Sequence, residues 1–163
     1  MQAQALLPFF KALKEKNINI AVDTNGFIRN EDVEALIPYV DLFLLDLKHM
    51  NNYRHQKLTG KSNDSVHKFL DHLEANNKKT RIRYVLVPEY SDQDEHIHEL
   101  GQSFGHYACI DRIEILPYHN LGVYKRHALG REYALKDVGM PTPQKVSHVK
   151  HILAKYFAHV FVR

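Results

Sequence analysis

The chain has 163 residues, a formal net charge of +3 and 44% hydrophobic content, the size and composition of one soluble globular domain. No apolar run approaches the roughly 18 residues of a membrane span, and the N-terminus lacks the basic and apolar regions of a secretory leader. Cys109 is the single cysteine, which excludes an intrachain disulfide and fits a reducing, cytoplasmic setting.

Four short apolar runs, each closed by a polar cluster, organise the chain. Residues 2–16 read as a helix with Leu6, Leu7, Phe10 and Leu13 at helical spacing. Pro8 is placed in its first turn, where a missing N–H costs nothing. The run Asn17-Ile18-Asn19-Ile20-Ala21-Val22 forms a first strand that ends in the turn sequence Asp23-Thr24-Asn25-Gly26. A short helix from Glu31 to Pro38 turns Val33, Leu36 and Ile37 inward, and a second strand runs from Asp41 to Leu47. Ser62-Asn63-Asp64 offers an N-cap for a helix over about 64–76 that buries Val66, Phe69, Leu70 and Leu73. The third strand is Thr80 to Val87, stopped by Pro88. Ser91 or Asp92 caps the next helix, with Ile97, Leu100 and Phe104 inside, and Asp111 to Leu116 is the fourth strand. Residues 119–140 carry three glycines and little periodicity, so they read as a loop. Thr142-Pro143 opens a last helix whose inner face is Val146, Val149, Ile152, Leu153 and Phe157.

This alternation predicts an α/β fold: a partial (β/α) barrel of about four parallel strands with flanking helices, forming one domain over residues 1–163, with its site along the rim where the strands end. Four strands do not close a barrel, which needs about eight. The first strand is then an open edge, expected to be covered by helix 2–16 or to self-associate with another copy. Lys78, Lys79, Arg81 and Arg83 are the densest basic patch. Without a broad stripe and stacking aromatics it points to no nucleic acid, and Lys78 and Lys79 read as the cationic close of a helix.

The strand tips carry an ordered set of motifs: Val22-Asp23-Thr24-Asn25-Gly26-Phe27, Leu45-Asp46-Leu47-Lys48, Ile82-Arg83-Tyr84-Val85-Leu86-Val87-Pro88 and Glu114-Ile115-Leu116-Pro117-Tyr118-His119. Leu121-Gly122-x-x-Lys125, Ala128-Leu129-Gly130 and Tyr133-x-Leu135 follow. Any one alone is weak, since Asp23-Thr24-Asn25-Gly26 by itself is a turn. Together and in order, from residue 1 to about residue 160, they resemble the pyruvate formate-lyase-activating enzymes, which are radical S-adenosylmethionine (SAM) proteins. The resemblance implies the C-terminal part of a (β/α)6 barrel. The family's Cys-x-x-x-Cys-x-x-Cys run and its Gly-Gly-Glu motif have no counterpart here. The chain therefore matches the last two thirds of such an enzyme, without its first two strands. Cys109 alone cannot replace three or four cluster thiolates.

What the resemblance implies about chemistry belongs to the intact protein. A four-iron four-sulfur cluster passes an electron to SAM, and the resulting 5′-deoxyadenosyl radical takes a hydrogen from the glycine loop of a glycyl radical enzyme, pyruvate formate-lyase. A flavodoxin-type donor supplies the electron. Lacking the cluster cysteines, this chain alone is expected to be inactive. Asp46, Leu47 and Lys48 match the segment that contacts SAM, His119 matches the histidine beside its adenosyl portion, and Arg83 is a candidate contact to SAM or to the substrate loop. Asp23, Thr24, Asp46 and the carbonyl of Leu44 match a monovalent-cation site beside the SAM carboxylate. The residues alone also allow plainer roles: a strand-end ion pair between Asp46 and Lys48, a turn cap at Asp23, an Arg83–Glu114 pair, and a surface imidazole at His119. Two departures, Glu89 where the family has glycine and Arg126 where it has tryptophan, lie where the partner peptide approaches. The alternatives are a non-catalytic module that binds SAM or a partner, an activase of another glycyl radical enzyme, and an unrelated α/β enzyme using Asp23, Asp46, Lys48 and His119 for acid–base work.

Overall fold

The computed structural model describes residues 3–27, 30–121, 123–130 and 135–163, and for residues 125–127 the backbone alone. Five parallel strands lie in sequential order: β1 (Ala21–Thr24), β2 (Leu42–Leu47), β3 (Thr80–Leu86), β4 (Ile110–Pro117) and β5 (Val160–Val162). Among the described residues seven α-helices accompany them: α1 (Ala3–Glu15), α2 (Glu31–Leu36), α3 (Asn52–Thr59), α4 (Asp64–Ala75), α5 (Asp94–Phe104), α6 (Val123–Ala128) and α7 (Pro143–Leu153). The result is an α/β sheet curved as part of a barrel, with every strand ending on the same rim.

The pleat sorts each strand's residues between two faces. One face takes Phe43, Leu45, Leu47, Ile82, Tyr84, Leu86, Ile113 and Ile115 into the core. There they meet Val66, Phe69, Leu70 and Leu73 of α4, Ile97, Leu100 and Phe104 of α5, and Val149, Ile152 and Leu153 of α7. These helical residues follow the three- and four-residue spacing that buries one stripe. The other face carries Leu44, Asp46, Arg81, Arg83 and Arg112, all only half-buried, with buried Glu114 among them. Parallel sheets are usually covered on both sides; here the second face is polar and partly open.

Several sequence expectations are corrected. Five strands replace about four: β5 follows α7, which stops at Leu153, so Phe157 packs from the connection rather than from the helix. The first strand begins at Ala21, because Asn17 adopts a left-handed φ of 56° and its amide bonds back to Lys14 O, closing α1. Pro8 lies in the second turn of α1, not the first. Segment 52–59 is a helix, and the stretch read as a loop contains α6. Neither Ser91 nor Asp92 caps α5, whose N-cap residue is Gln93. Buried Ser91 instead stitches the end of β3, accepting from Val87 N (2.9 Å) and donating to Val85 O (2.7 Å). Asp92 accepts from Glu89 N (2.8 Å). The Thr142 cap holds, its Oγ1 accepting from Lys145 N.

The basic patch is consumed internally. Lys78 Nζ donates to Pro38 O and Val40 O, and Lys79 and Arg81 both pair with Asp111. Helix α1 packs on α2 and the turn Ile37–Tyr39. Among the described residues β1 pairs with β2 alone. No helix among them is long and apolar enough to cross a membrane.

Candidate functional site at the strand tips

Parallel register fixes which side chains meet. Asp46 on β2 stands opposite Arg83 on β3, and Asp23 on β1 stands opposite Leu44 on β2. All four point to the polar face. Arg83 Nη1 donates to Asp23 Oδ2, and its Nε lies 3.7 Å from Asp46 Oδ1. Lys48 Nζ donates to Asp46 Oδ2 at 2.6 Å. Carboxylate and cation thus alternate through Asp23, Arg83, Asp46 and Lys48 across three strands. The guanidinium relieves the repulsion two neighbouring carboxylates would otherwise feel. Arg83 does not pair with Glu114; that buried carboxylate is held by Arg112 and Arg163, each at 3.1 Å.

One atom in this chain of charges is left short. Asp46 Oδ1 is buried and makes no hydrogen bond, although a buried carboxylate oxygen ordinarily finds a donor or a metal ion. It is an acceptor available to a ligand hydroxyl or a cation. Thr24 Oγ1 accepts from Gly26 N (3.1 Å), closing the turn after β1. Gly26 has a φ of 65°, and a Cβ there would lie 2.9 Å from Leu45 Cδ1. The turn that presents Asp23 and Thr24 therefore needs glycine at this position.

The other expected residues are placed differently. Leu47 is wholly buried on the helix side, so only its backbone reaches the rim. His119 is exposed two residues beyond β4, where its Nδ1 accepts from Leu121 N at 3.4 Å. No hydrogen bond or ion pair among the described residues joins it to the Asp46 group. Gly122 and Tyr133 lie outside the described residues, as do the side chains of Lys125 and Arg126. Glu89 has a left-handed φ of 67°, a conformation that explains why glycine suits this position and that costs an L-residue roughly 1–2 kcal/mol.

Two hollows adjoin the charged row and share Lys48 and Thr59 in their walls. One, of about 260 Å³, is largely apolar and lies among Leu58, Val85, Val87, Tyr90 and Leu135. The other, of about 180 Å³, is bounded by Asn25, Asp46, His55, Lys61 and Ser62. Small-molecule pockets occupy about 300–1,000 Å³ and combine apolar walls with a few polar groups, so the pair suits a ligand with one apolar end and one charged end. The contributions of α3 were missed in the sequence because its eight residues carry no apolar stripe. Asn51 and Gly60 at its two ends were the available signal.

The loop carrying Lys48 is fixed by a buried histidine. Asn51 N donates to His49 Nδ1 (3.0 Å), so Nε2 carries the proton and donates to Tyr90 O (3.1 Å). Asn63 Nδ2 donates to His49 O and Met50 O. His49 sits edge-on to His96 with ring centres 4.5 Å apart. Burial, then the neighbouring His96, hold its pKa down at about 4. Cys109 lies before β4, at the opposite end of that strand from His119. At 3.3 Å per residue, an eight-residue strand separates the two ends by about 25 Å. Burial pushes the thiol up to about 12, and no group of three or more potential metal ligands occurs among the described residues. These residues do not fit an iron–sulfur cluster, whereas the row at Asp46 leaves one carboxylate oxygen without a hydrogen bond, an acceptor for a hydroxyl-bearing ligand.

Residues 2–101 match the model of the radical SAM superfamily. The chain is 41% identical over 158 residues to the pyruvate formate-lyase 1-activating enzyme of Escherichia coli K12, covering 96% of this chain and 64% of that protein. It therefore spans less than two thirds of that curated relative's length. A crystal structure of a domain of pyruvate-formate lyase-activating enzyme from Bacteroides vulgatus superposes with a TM-score of 0.82 at 20% identity, over 99% of this chain and 91% of that one. Streptococcus suis SuiB bound to its precursor peptide SuiA superposes with a TM-score of 0.72 at 20% identity, over 97% of this chain and 35% of that one. At these identities the two structures show the shared fold alone.

Proposed function

We propose, because this chain belongs to the radical SAM superfamily, that its strand tips hold the SAM-binding half of a glycyl radical enzyme activase, within one domain spanning residues 1–163. The observation that carries the reading is the unsatisfied Asp46 Oδ1 within the row of Asp23, Arg83, Asp46 and Lys48. Asp46 offers that oxygen to a ribose hydroxyl, and Lys48 offers its ammonium to the carboxylate of the methionyl end. Lys48 walls the largely apolar hollow beside Val85 and Val87, which suits an adenine ring, and Asp46 walls the smaller hollow next to it. Leu47 contributes through its backbone, and His119 reaches the adenosyl end from the tip of β4. Arg83 contacts SAM or the substrate loop, and a monovalent cation beside Asp23, Thr24, Asp46 and the Leu44 carbonyl would take the place that the Arg83 guanidinium holds between the two aspartates.

In the whole protein SAM supplies the radical chemistry, and the target is the glycine loop of pyruvate formate-lyase, the enzyme named in the relatives. The four-iron four-sulfur cluster and the flavodoxin-type donor belong to that whole protein, which we place in the cytoplasm. The residues of this chain bind, orient and exclude water; taken alone it lacks cluster ligands and is catalytically silent. The edge of β1, which pairs with β2 alone among the described residues, is also a place for self-association.

Calorimetric titration with SAM tests the site. Saturable heat is expected for the wild-type chain, with affinity at least tenfold weaker in Asp46→Asn, a loss of about 1.4 kcal/mol or more. Absence of SAM binding, or equal binding by the two, would overturn the assignment. Reconstitution with iron and sulfide is expected to give no visible absorbance and no SAM cleavage under reduction.

A further inference from the structure

The exposed face of α3 brings cations and aromatic rings together. Segment 47–63 contains Lys48, Arg54, Lys57 and Lys61 and no carboxylate. Of the eight residues in α3, only His55 is buried. Helices this short are marginal unless packing holds them, and α3 is held mainly by its ends. Asn51 Oδ1 accepts from Arg54 N (3.0 Å), Gly60 closes the C-terminus with a φ of 75°, and His55 Nδ1 donates to Lys61 O (2.8 Å). A helix anchored by its termini leaves its outer residues unspent. Those residues include Tyr53, 67% exposed, and Leu58, 43% exposed, with Phe27, 39% exposed, nearby.

The cations here are arranged rather than neutralised. Lys57 Nζ lies 5.3 Å above the Tyr53 ring and Lys61 Nζ 5.4 Å above the Phe27 ring. No carboxylate among the described residues pairs with Arg54, Lys57 or Lys61. Lys14, Lys79, Arg81, Arg112, Lys145 and Arg163 are each paired, whereas Lys150 and Lys155, like the α3 cations, pair with no carboxylate among the described residues but lie over no ring. Exposed Tyr and Arg with few acidic residues is the composition of a protein interface core, and cations held over rings present their charge at little entropic cost. The patch is too local for the long stripe that a nucleic-acid backbone requires. Leu58, Thr59 and Lys61 also wall the strand-tip hollows, so a chain lying on α3 borders the site.

We propose that the outer face of α3, with Lys61 and Phe27 beside it, docks an acidic, extended segment of the polypeptide on which the strand-tip site acts. This rests on the function proposed above for that site. Complementary charge raises encounter rate and selects the partner, and the exposed rings supply the apolar contact.

The test uses a fluorescein-labelled peptide that alternates Glu with Leu, a twin with Gln for Glu, and a single-stranded oligonucleotide, all at about 0.15 M salt, where distant surface charges are screened. The acidic peptide is expected to bind the wild-type chain at least tenfold more tightly than its twin. Arg54→Glu with Lys57→Glu is expected to abolish that preference. A variant with the same change in net charge on α7 and just beyond it, Lys150→Glu with Lys155→Glu, is expected to keep it. Equal losses in both double variants, equal affinity for the twin, or tighter binding of the oligonucleotide would overturn the proposal. Titration with SAM in parallel separates the two readings. Peptide selectivity without SAM binding removes the functional reading and leaves the surface; SAM binding without selectivity does the reverse.

Discussion

The two faces of one sheet are built from alternate residues of the same strands, yet they obey different chemistry. On β2, Phe43, Leu45 and Leu47 are buried against helices, while Leu44 and Asp46 between them face the partly open side. On β3, Ile82, Tyr84 and Leu86 go inward while Arg81 and Arg83 go outward. The covered face supplies dispersion and hydrophobic burial, which are tolerant of chemistry but not of volume. The open face supplies charges in fixed order, which contribute little to folding when half-exposed. The lesson is that stability and site are separable here at single-residue spacing.

The largest expected contrast comes from exchanging a residue on each face. Leu45→Ala removes a wholly buried side chain and is expected to cost about 2–5 kcal/mol in urea denaturation. On the outward face of the adjoining strand, Arg83→Met is expected to change stability by less than about 1 kcal/mol, while SAM affinity falls. A large stability loss in Arg83→Met would break the separation of the faces.

A second contrast concerns the rim, where His49 brings a buried polar group into the covered side. Its pKa, near 6.5 in the unfolded chain, is held at about 4 in the folded one. Between those values the unfolded state binds the extra proton. Stability is therefore fully present above about pH 6.5 and declines toward pH 4, by up to about 3 kcal/mol at 1.36 kcal/mol per unit. His67, also lowered chiefly by burial, adds to the same slope. His49→Gln keeps one acceptor and one donor without the charge, and chemical denaturation at several pH values is expected to show a markedly flatter profile.

The smallest expected effect lies on the loop after β3. Glu89→Gly relieves the left-handed φ of 67° but gives the unfolded chain more freedom, so the net gain is about 1 kcal/mol or less by thermal melting. A loss would mean that the Glu89 side chain makes a contact worth more than its backbone strain.

Much of the covered face was legible in the sequence because period matches element. The spacing of Val66, Phe69, Leu70 and Leu73 gave α4 to within a residue or two, and the Thr142-Pro143 cap placed the start of α7. Elements without an apolar period were missed. Segment 52–59 is polar on nearly every side, and β5 is only three residues long. On the open face the sequence identified the residues but not their partners. Glu114 lies opposite Arg83 in the register, but side chains this long choose among diagonal neighbours as well. Asp23 and Asp46 took Arg83, and Arg112 and Arg163 took Glu114. Residue spacing along a strand does not encode that choice.

The most direct measurement is a map of backbone amide shifts in the isotopically labelled chain as SAM is added. Saturable shifts are expected at Asp46, Leu47 and Lys48, with further changes at Arg83 and around His119 and none near Cys109 or along α7. Shifts confined to the opposite ends of the strands, or no saturable change at the Asp46 segment, would contradict the placement of the ligand on this rim.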